Sequence, residues 1–168
     1  MTEEVKRNYL EISSLNDLKE GKKPTEDYSL NLIDPVDFQL NKFFYKNIGK
    51  KHKWIDRLAW SEEKWISYVS SKNVNTYVLK HKNDLVGFFE LILHQENKEI
   101  EIAYFGILEE YQNKKLGSYL LSEAIRESLH KDSVERVWLH TCSLDHKNAL
   151  NNYLARGMKI FKREVINI

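Results

Sequence analysis

Ile100-Glu101-Ile102-Ala103-Tyr104-Phe105-Gly106-Ile107, followed after Leu108 by Glu109-Glu110-Tyr111-Gln112-Asn113-Lys114-Lys115-Leu116-Gly117-Ser118, is the stretch on which the fold turns. The first eight residues begin with strict apolar–polar alternation and end almost uniformly apolar, the pattern of a strand running into the middle of a sheet. Past Ser118 the period changes. Leu116, Leu120, Ala124, Ile125 and Leu129 recur at three and four residues, which predicts an amphipathic helix from Gly117 to about Lys131. Arg136 to Thr141 reads as the next strand. A strand, a crossover helix and a second strand make the two strands parallel and the crossover right-handed.

Between the first strand and its helix lies a short basic loop that ends in the small pair Gly117-Ser118. The first turn of a helix carries unpaired N–H groups and the positive end of the helix dipole, so this corner is suited to an anion such as a diphosphate. Lys114 or Lys115 adds charge and Gly117 permits close approach.

Working outward, Leu85 to Leu93 is a nearly continuous apolar strand, and the Lys82-Asn83-Asp84 turn pairs it in a hairpin with Thr76-Tyr77-Val78-Leu79. Downstream, Asp145 is expected to cap a helix through Asn148, Ala149, Tyr153 and Leu154. Gly157 ends that helix, and a last strand runs from Met158 to about Val165. Upstream, Asp34-Pro35 reads as N-cap and first residue of a helix bearing Phe38, Phe43, Phe44 and Ile48, and Ser61 as the N-cap of a second. Tyr9 to Ile12 and Tyr28 to Ile33 read as short strands, with residues 1–27 an edge extension of a single domain spanning 1–168. The class is mixed α/β.

Length and composition narrow the function. The 168 residues suit one core, and 42% hydrophobic with 30% charged residues excludes wholesale disorder. Lysine and arginine number 26 against 25 acidic residues, so no global field favours nucleic acid or a membrane. No apolar run approaches the roughly 20 residues of a membrane span, and the polar opening MTEEVKRNYL is unlike a signal peptide, so a cytoplasmic protein is expected. With Cys142 the single cysteine and six scattered histidines, no metal site is expected. G-x-G-x-x-G is absent, against a Rossmann nucleotide site.

Gln112-x-x-Lys115-x-Gly117-Ser118, placed after a strand and opening a helix, resembles the acyl-CoA pyrophosphate motif Q/R-x-x-G-x-G/A of the GNAT superfamily of N-acetyltransferases. Ala149-x-x-x-Tyr153-x-x-x-Gly157-Met158 resembles that family's A-x-x-x-Y-x-x-x-G-F signature. The resemblance spans about residues 28–166 and is carried by the half from Ile100 onward. Lys115, Ser118 and Met158 depart from the pattern, and Lys115 is expected to keep ordinary backbone angles, since positive φ would cost lysine about 1 kcal/mol.

The resemblance implies a central mixed sheet of six to seven strands, mostly antiparallel with one splayed parallel pair, flanked by about four helices. It implies acetyl-CoA (coenzyme A) as co-substrate and direct attack by a primary amine through a tetrahedral intermediate. The cofactor would lie along Phe105 and Ile107, with Gln112, Asn113, Lys114, Lys115, Gly117 and Ser118 at the diphosphate and His146 and Asn148 beside pantetheine. Tyr153 is the implied acid, Glu101 the implied base, and Glu90 a rival base or ammonium anchor because it interrupts an apolar run. His140 and Cys142 alternate with Thr141 on the strand beside the gap. Trp54, Trp60, Trp65, Tyr68, Phe88 and Tyr104 are candidates for an acceptor wall of which no more than half touch substrate, while Arg57 and Lys50, Lys51 and Lys53 read as solvated surface. The acceptor is a small molecule or peptide amine. The last strand and the N-terminal segment are expected as sheet edges, where a homodimer would pair. The alternative of another class is a non-catalytic acyl-CoA-binding sensor or interaction module.

Overall fold

The computed structural model describes residues 3–167. Along the chain run β1 (Glu4–Ile12), β2 (Tyr28–Leu32), α1 (Phe38–Gly49), α2 (Glu62–Val69), β3 (Val74–His81), β4 (Asp84–His94), β5 (Glu99–Ile107), α3 (Leu116–Leu129), β6 (Arg136–Cys142), α4 (Ala149–Ala155) and β7 (Lys159–Asn167). The strands form one sheet in the order β2-β3-β4-β5-β6-β1-β7. All neighbours are antiparallel except β5 and β6, the parallel pair that the α3 crossover requires.

Alternation along the strands divides the core between the two faces of the sheet. Tyr77, Leu79 and Phe89 pack with Leu116, Leu120, Ala124 and Tyr153 from α3 and α4. Val78 and Phe88 face the other way, against Phe44 and Ile48 of α1.

Three readings change. β1 is not an edge, because it lies between β6 and β7, so the edges are β2 and β7. Asp34-Pro35 does not open a helix; it is a cis peptide bond, and α1 starts at Phe38 with the Asp37 carboxylate accepting from the amides of Gln39 and Leu40. Asp145 does not cap α4, whose N-cap is Asn148. Its carboxylate is taken up by the Thr141 hydroxyl and the Cys142 amide. Ser61 caps α2 as expected, accepting from the Lys64 amide at 3.1 Å.

Gly157 closes α4 at φ +103°, where a Cβ would lie 2.0 Å from the Asp17 carbonyl oxygen. Strain and collision with backbone act together there, so Gly157→Ala is expected to cost about 2 kcal/mol or more and to lower the melting temperature by several degrees. Thermal unfolding of the variant checks this, and an unchanged midpoint contradicts it.

Candidate active site

The parallel pairing of β5 and β6 stops early. Glu99 faces Arg136, Ile100 faces Val137 and Glu101 faces Trp138, after which no pairs form. On its other side β5 carries a bulge, since Glu90 pairs with Tyr104 but Leu91 with Ile102, leaving Ala103 as the extra residue. The bulge turns β5 away from β6. From Ala103 to Ile107 the backbone therefore borders a gap that β6 does not fill, and a cavity of about 1320 Å³ runs through it. Sequence reading placed the gap beside Phe105 to Ile107, and Ala103, the residue that opens it, went unnoticed.

One mouth of the cavity lies at the start of α3. Here Lys115 is left-handed at φ 62°, and Asn113 at φ 65°. This corrects the expectation of ordinary angles at Lys115. The turn from the short helical segment at Glu109–Tyr111 into α3 needs a left-handed residue at this N-cap, and the chain bears the cost of placing a lysine there. No side chain caps α3, and among the described residues the amides of Leu116, Gly117 and Ser118 donate to no protein acceptor. A Cβ on Gly117 would meet only the Asn152 side-chain nitrogen, at 3.7 Å, so the space before this turn is open. Free amides, a helix dipole, adjacent lysine and open space fit a diphosphate.

Most of the expected cofactor contacts converge on this cavity. Phe105, Ile107, Gln112, Asn113, Lys115, Gly117, Ser118, His146 and Asn148 all line it. Gln112 spends its side-chain amide on the Ile107 carbonyl at 3.3 Å, tying the loop to the end of β5. The Ser118 hydroxyl donates to the Lys115 carbonyl at 2.9 Å and so stiffens the turn. Lys114 is the exception: its ammonium lies 5.7 Å from the Tyr111 ring centroid, and it borders a separate, smaller pocket beside Tyr28 and His81. Asn152, one residue before Tyr153, also lines the main cavity and was not singled out from sequence.

Tyr153 and Glu101 both reach the cavity. Tyr153 stands 6.4 Å from Phe105, ring to ring. Burial, then the nearby Asp145 and Cys142, raise its phenol well above the ordinary value, so it holds its proton. Glu101 is bonded through Oε1 to His94 Nε2 at 3.0 Å, and His94 stacks on Trp138 at 6.0 Å. His140 and Cys142 also face the cavity, whereas Thr141 turns away to Asp145. Desolvation, followed by the Arg7 cation, lowers the His140 pKa and leaves the ring neutral near pH 7. Desolvation and Asp145 raise the Cys142 thiol, against a role as a nucleophile.

Glu90 is not brought to the cavity. It is fully buried, and Arg57 binds both of its oxygens at 2.8 and 2.7 Å, with Tyr68 donating at 2.5 Å and Asn41 at 3.0 Å. With these partners its carboxylate has no place for an outside ammonium or proton. Arg57 is correspondingly not solvated surface: it is 6% exposed, its guanidinium lies 4.3 and 4.4 Å from the centroids of Tyr68 and Tyr104, and Trp60 is 4.9 Å away. Burial alone would lower the Arg57 pKa, but the bonds and charge of Glu90 outweigh it and the net shift is upward. Of the six aromatic candidates, Trp54, Trp60, Tyr68 and Tyr104 line the cavity, while Trp65 and Phe88 are core. No group of three or more potential metal ligands occurs among the described residues, and no helix among them is long and apolar enough to cross a membrane.

Comparison with known proteins agrees with this geometry. A GCN5-related N-acetyltransferase from Sphaerobacter thermophilus superposes at a TM-score of 0.72 with 16% identity, over 99% of this chain and 52% of that one. A protein from Staphylococcus epidermidis described as functionally unknown gives 0.69 and 18%, over 98% and 61%. An aminoglycoside acetyltransferase from an uncultured soil metagenomic sample gives 0.65 and 14%, over 77% and 86%. The chain thus spans about half to three fifths of the length of the first two of these structures. No match is found among the curated proteins. The family model described as Acetyltransferase (GNAT) family matches residues 38–158, from the first residue of α1 to the methionine after Gly157, and the chain belongs to that family.

Proposed function

We propose that this protein is a cytoplasmic N-acetyltransferase that moves an acetyl group from acetyl-CoA to a primary amine of a small molecule or peptide. The observation that carries the reading is the uncapped first turn of α3, with its free amides at Leu116–Ser118, at one end of a gap bordered by the side of β5 that β6 leaves unpaired. Acetyl-CoA supplies the acetyl group as a thioester. The chain's own residues do the rest.

The amides of Leu116, Gly117 and Ser118 and the Lys115 side chain hold the diphosphate. The β5 backbone between Ala103 and Ile107 aligns the pantetheine arm as a further strand would and offers an N–H to the carbonyl oxygen. His146 and Asn148 border the arm. Glu101, steadied by His94, receives a proton from the incoming ammonium through water, because only the neutral amine has a lone pair for attack. Tyr153, kept protonated by its burial, donates its proton to the departing sulfur.

Tyr153→Phe is expected to lower kcat by about 100-fold or more with little change in the amine KM, since proton transfer by a positioned side chain contributes about 10²–10⁴-fold. Release of free thiol from acetyl-CoA with a panel of amines tests the proposal. Tight acetyl-CoA binding with no thiol release from any amine would favour the non-catalytic sensor.

A further inference from the structure

The mouth of the cavity opposite α3 has a chemistry of its own. Trp54, Trp60, Tyr68 and Tyr104 present half-buried rings to it, and Trp54 and Tyr104 meet edge to face at 4.8 Å. Tyr104 directly follows the bulge residue Ala103, so this wall adjoins the place where the acetyl group would be presented. Tyr153, by contrast, packs with α3 and Phe105 on the other face of the sheet. An amine entering along the aromatic wall would therefore reach the reacting carbon from the side opposite the acid.

Trp54 and Trp60 come from the segment between α1 and α2, Tyr68 from α2 and Tyr104 from β5, and the wall is held from behind. Arg57, in the middle of that segment, is clasped to Glu90 of β4 and stacked between Tyr68 and Tyr104. The rings are thus fixed before a ligand arrives, which reduces the ordering cost of binding. The ring cage already encloses a guanidinium, so a ligand cation has no vacant cage to enter.

Charge along the cavity speaks against a polycation. Three carboxylates line it: Asp56, Glu101, bonded to His94, and Asp145, bonded to Thr141 and Cys142. Five cations line it: Arg7, Lys53, Arg57, Lys64 and Lys115, of which Arg7 is paired with Glu164, Lys53 with Glu3 and Arg57 with Glu90. Of the two cations outside these pairs, Lys64 lies 4.8 Å from the Trp60 ring centroid, so an acceptor with several ammonium groups would meet a like charge at the wall itself. A flat apolar body bearing one amine would lose its water against ring faces and present its nitrogen towards Glu101.

We propose that the acceptor subsite lies against the Trp54–Trp60–Tyr104 wall, with the Arg57–Glu90 clasp as its positioning element, and that it takes arylalkyl monoamines and not polyamines or aminoglycosides. This rests on the acetyltransferase reading. The test is calorimetric titration of the coenzyme A-loaded protein with tryptamine, phenethylamine, spermidine and kanamycin. The arylalkylamines are expected to bind about tenfold or more tighter than the polycations. Trp54→Ala and, independently, Trp60→Leu are expected to weaken tryptamine by about tenfold while the coenzyme A Kd stays within about twofold. Tighter binding of spermidine or kanamycin, or tryptamine affinity unchanged in both variants, overturns the subsite alone. Failure to bind coenzyme A at all overturns the acetyltransferase reading beneath it.

Discussion

Gly117→Asp is expected to weaken acetyl-CoA binding by about 100-fold or more, close to 3 kcal/mol, while the folded protein stays nearly as stable as before. Two observations separate these effects. The added Cβ has open space, with only the Asn152 side-chain nitrogen within reach at 3.7 Å, and aspartate is tolerated in the first turn of a helix. The ligand, by contrast, would lose close approach to the amides and meet a carboxylate where its own negative charge must sit. Gly117→Ala isolates the first loss and should be the milder variant. Calorimetric titration with acetyl-CoA beside thermal unfolding reads both effects, and a Gly117→Asp protein that binds acetyl-CoA normally would contradict the assignment.

The second large effect concerns stability. Arg57→Ala would leave the Glu90 carboxylate fully buried with only Tyr68 and Asn41 as partners, and breaking one side of a buried pair costs about 3–5 kcal/mol. The ring cage adds to this, since Tyr45, Trp60, Trp65, Tyr68 and Tyr104 all lie within 5.6 Å of the guanidinium. Replacing both partners with apolar residues, Arg57→Met with Glu90→Leu, should recover much of the loss because no unpaired charge remains. Urea unfolding of the two variants measures it. A single variant as stable as the parent, or a double variant worse than the single, would show that the pair does not carry the energy assigned to it.

These two sites differ in how far the sequence reveals them. The strand, loop and helix around Gln112–Ser118 are legible because each is a local pattern: period two, then a small-residue corner, then period three to four. The parallel β5–β6 pair follows from the crossover, and the Gly157 stop from a single residue type. The position of β1 depends on pairing across more than 120 residues, Leu10 with Leu139 and Ile160, and no local pattern encodes it. Likewise the bulge at Ala103 arises from the register between β4 and β5, which neither strand shows alone.

Arg57 is the instructive case. Lys50 to Trp60 reads as a charged surface loop because its lysines are abundant and its partner is 33 residues away. The signal lay in Glu90, whose place inside an apolar run demands a buried cation, and in the tryptophans either side of Arg57, which mark one loop arginine as enclosed. Lys115 departs from expectation for the opposite reason. Propensity disfavours a left-handed lysine, but the closure of the loop onto α3 overrode it, and a family pattern with glycine at that position already hinted at the conformation.

A crystal of the protein soaked with acetyl-CoA bears on the whole reading at once. The diphosphate oxygens should lie within about 2.7–3.2 Å of the Gly117 and Ser118 amide nitrogens, with the pantetheine arm running beside Ala103–Ile107. Density for the nucleotide elsewhere, with the first turn of α3 left without ligand, would contradict it.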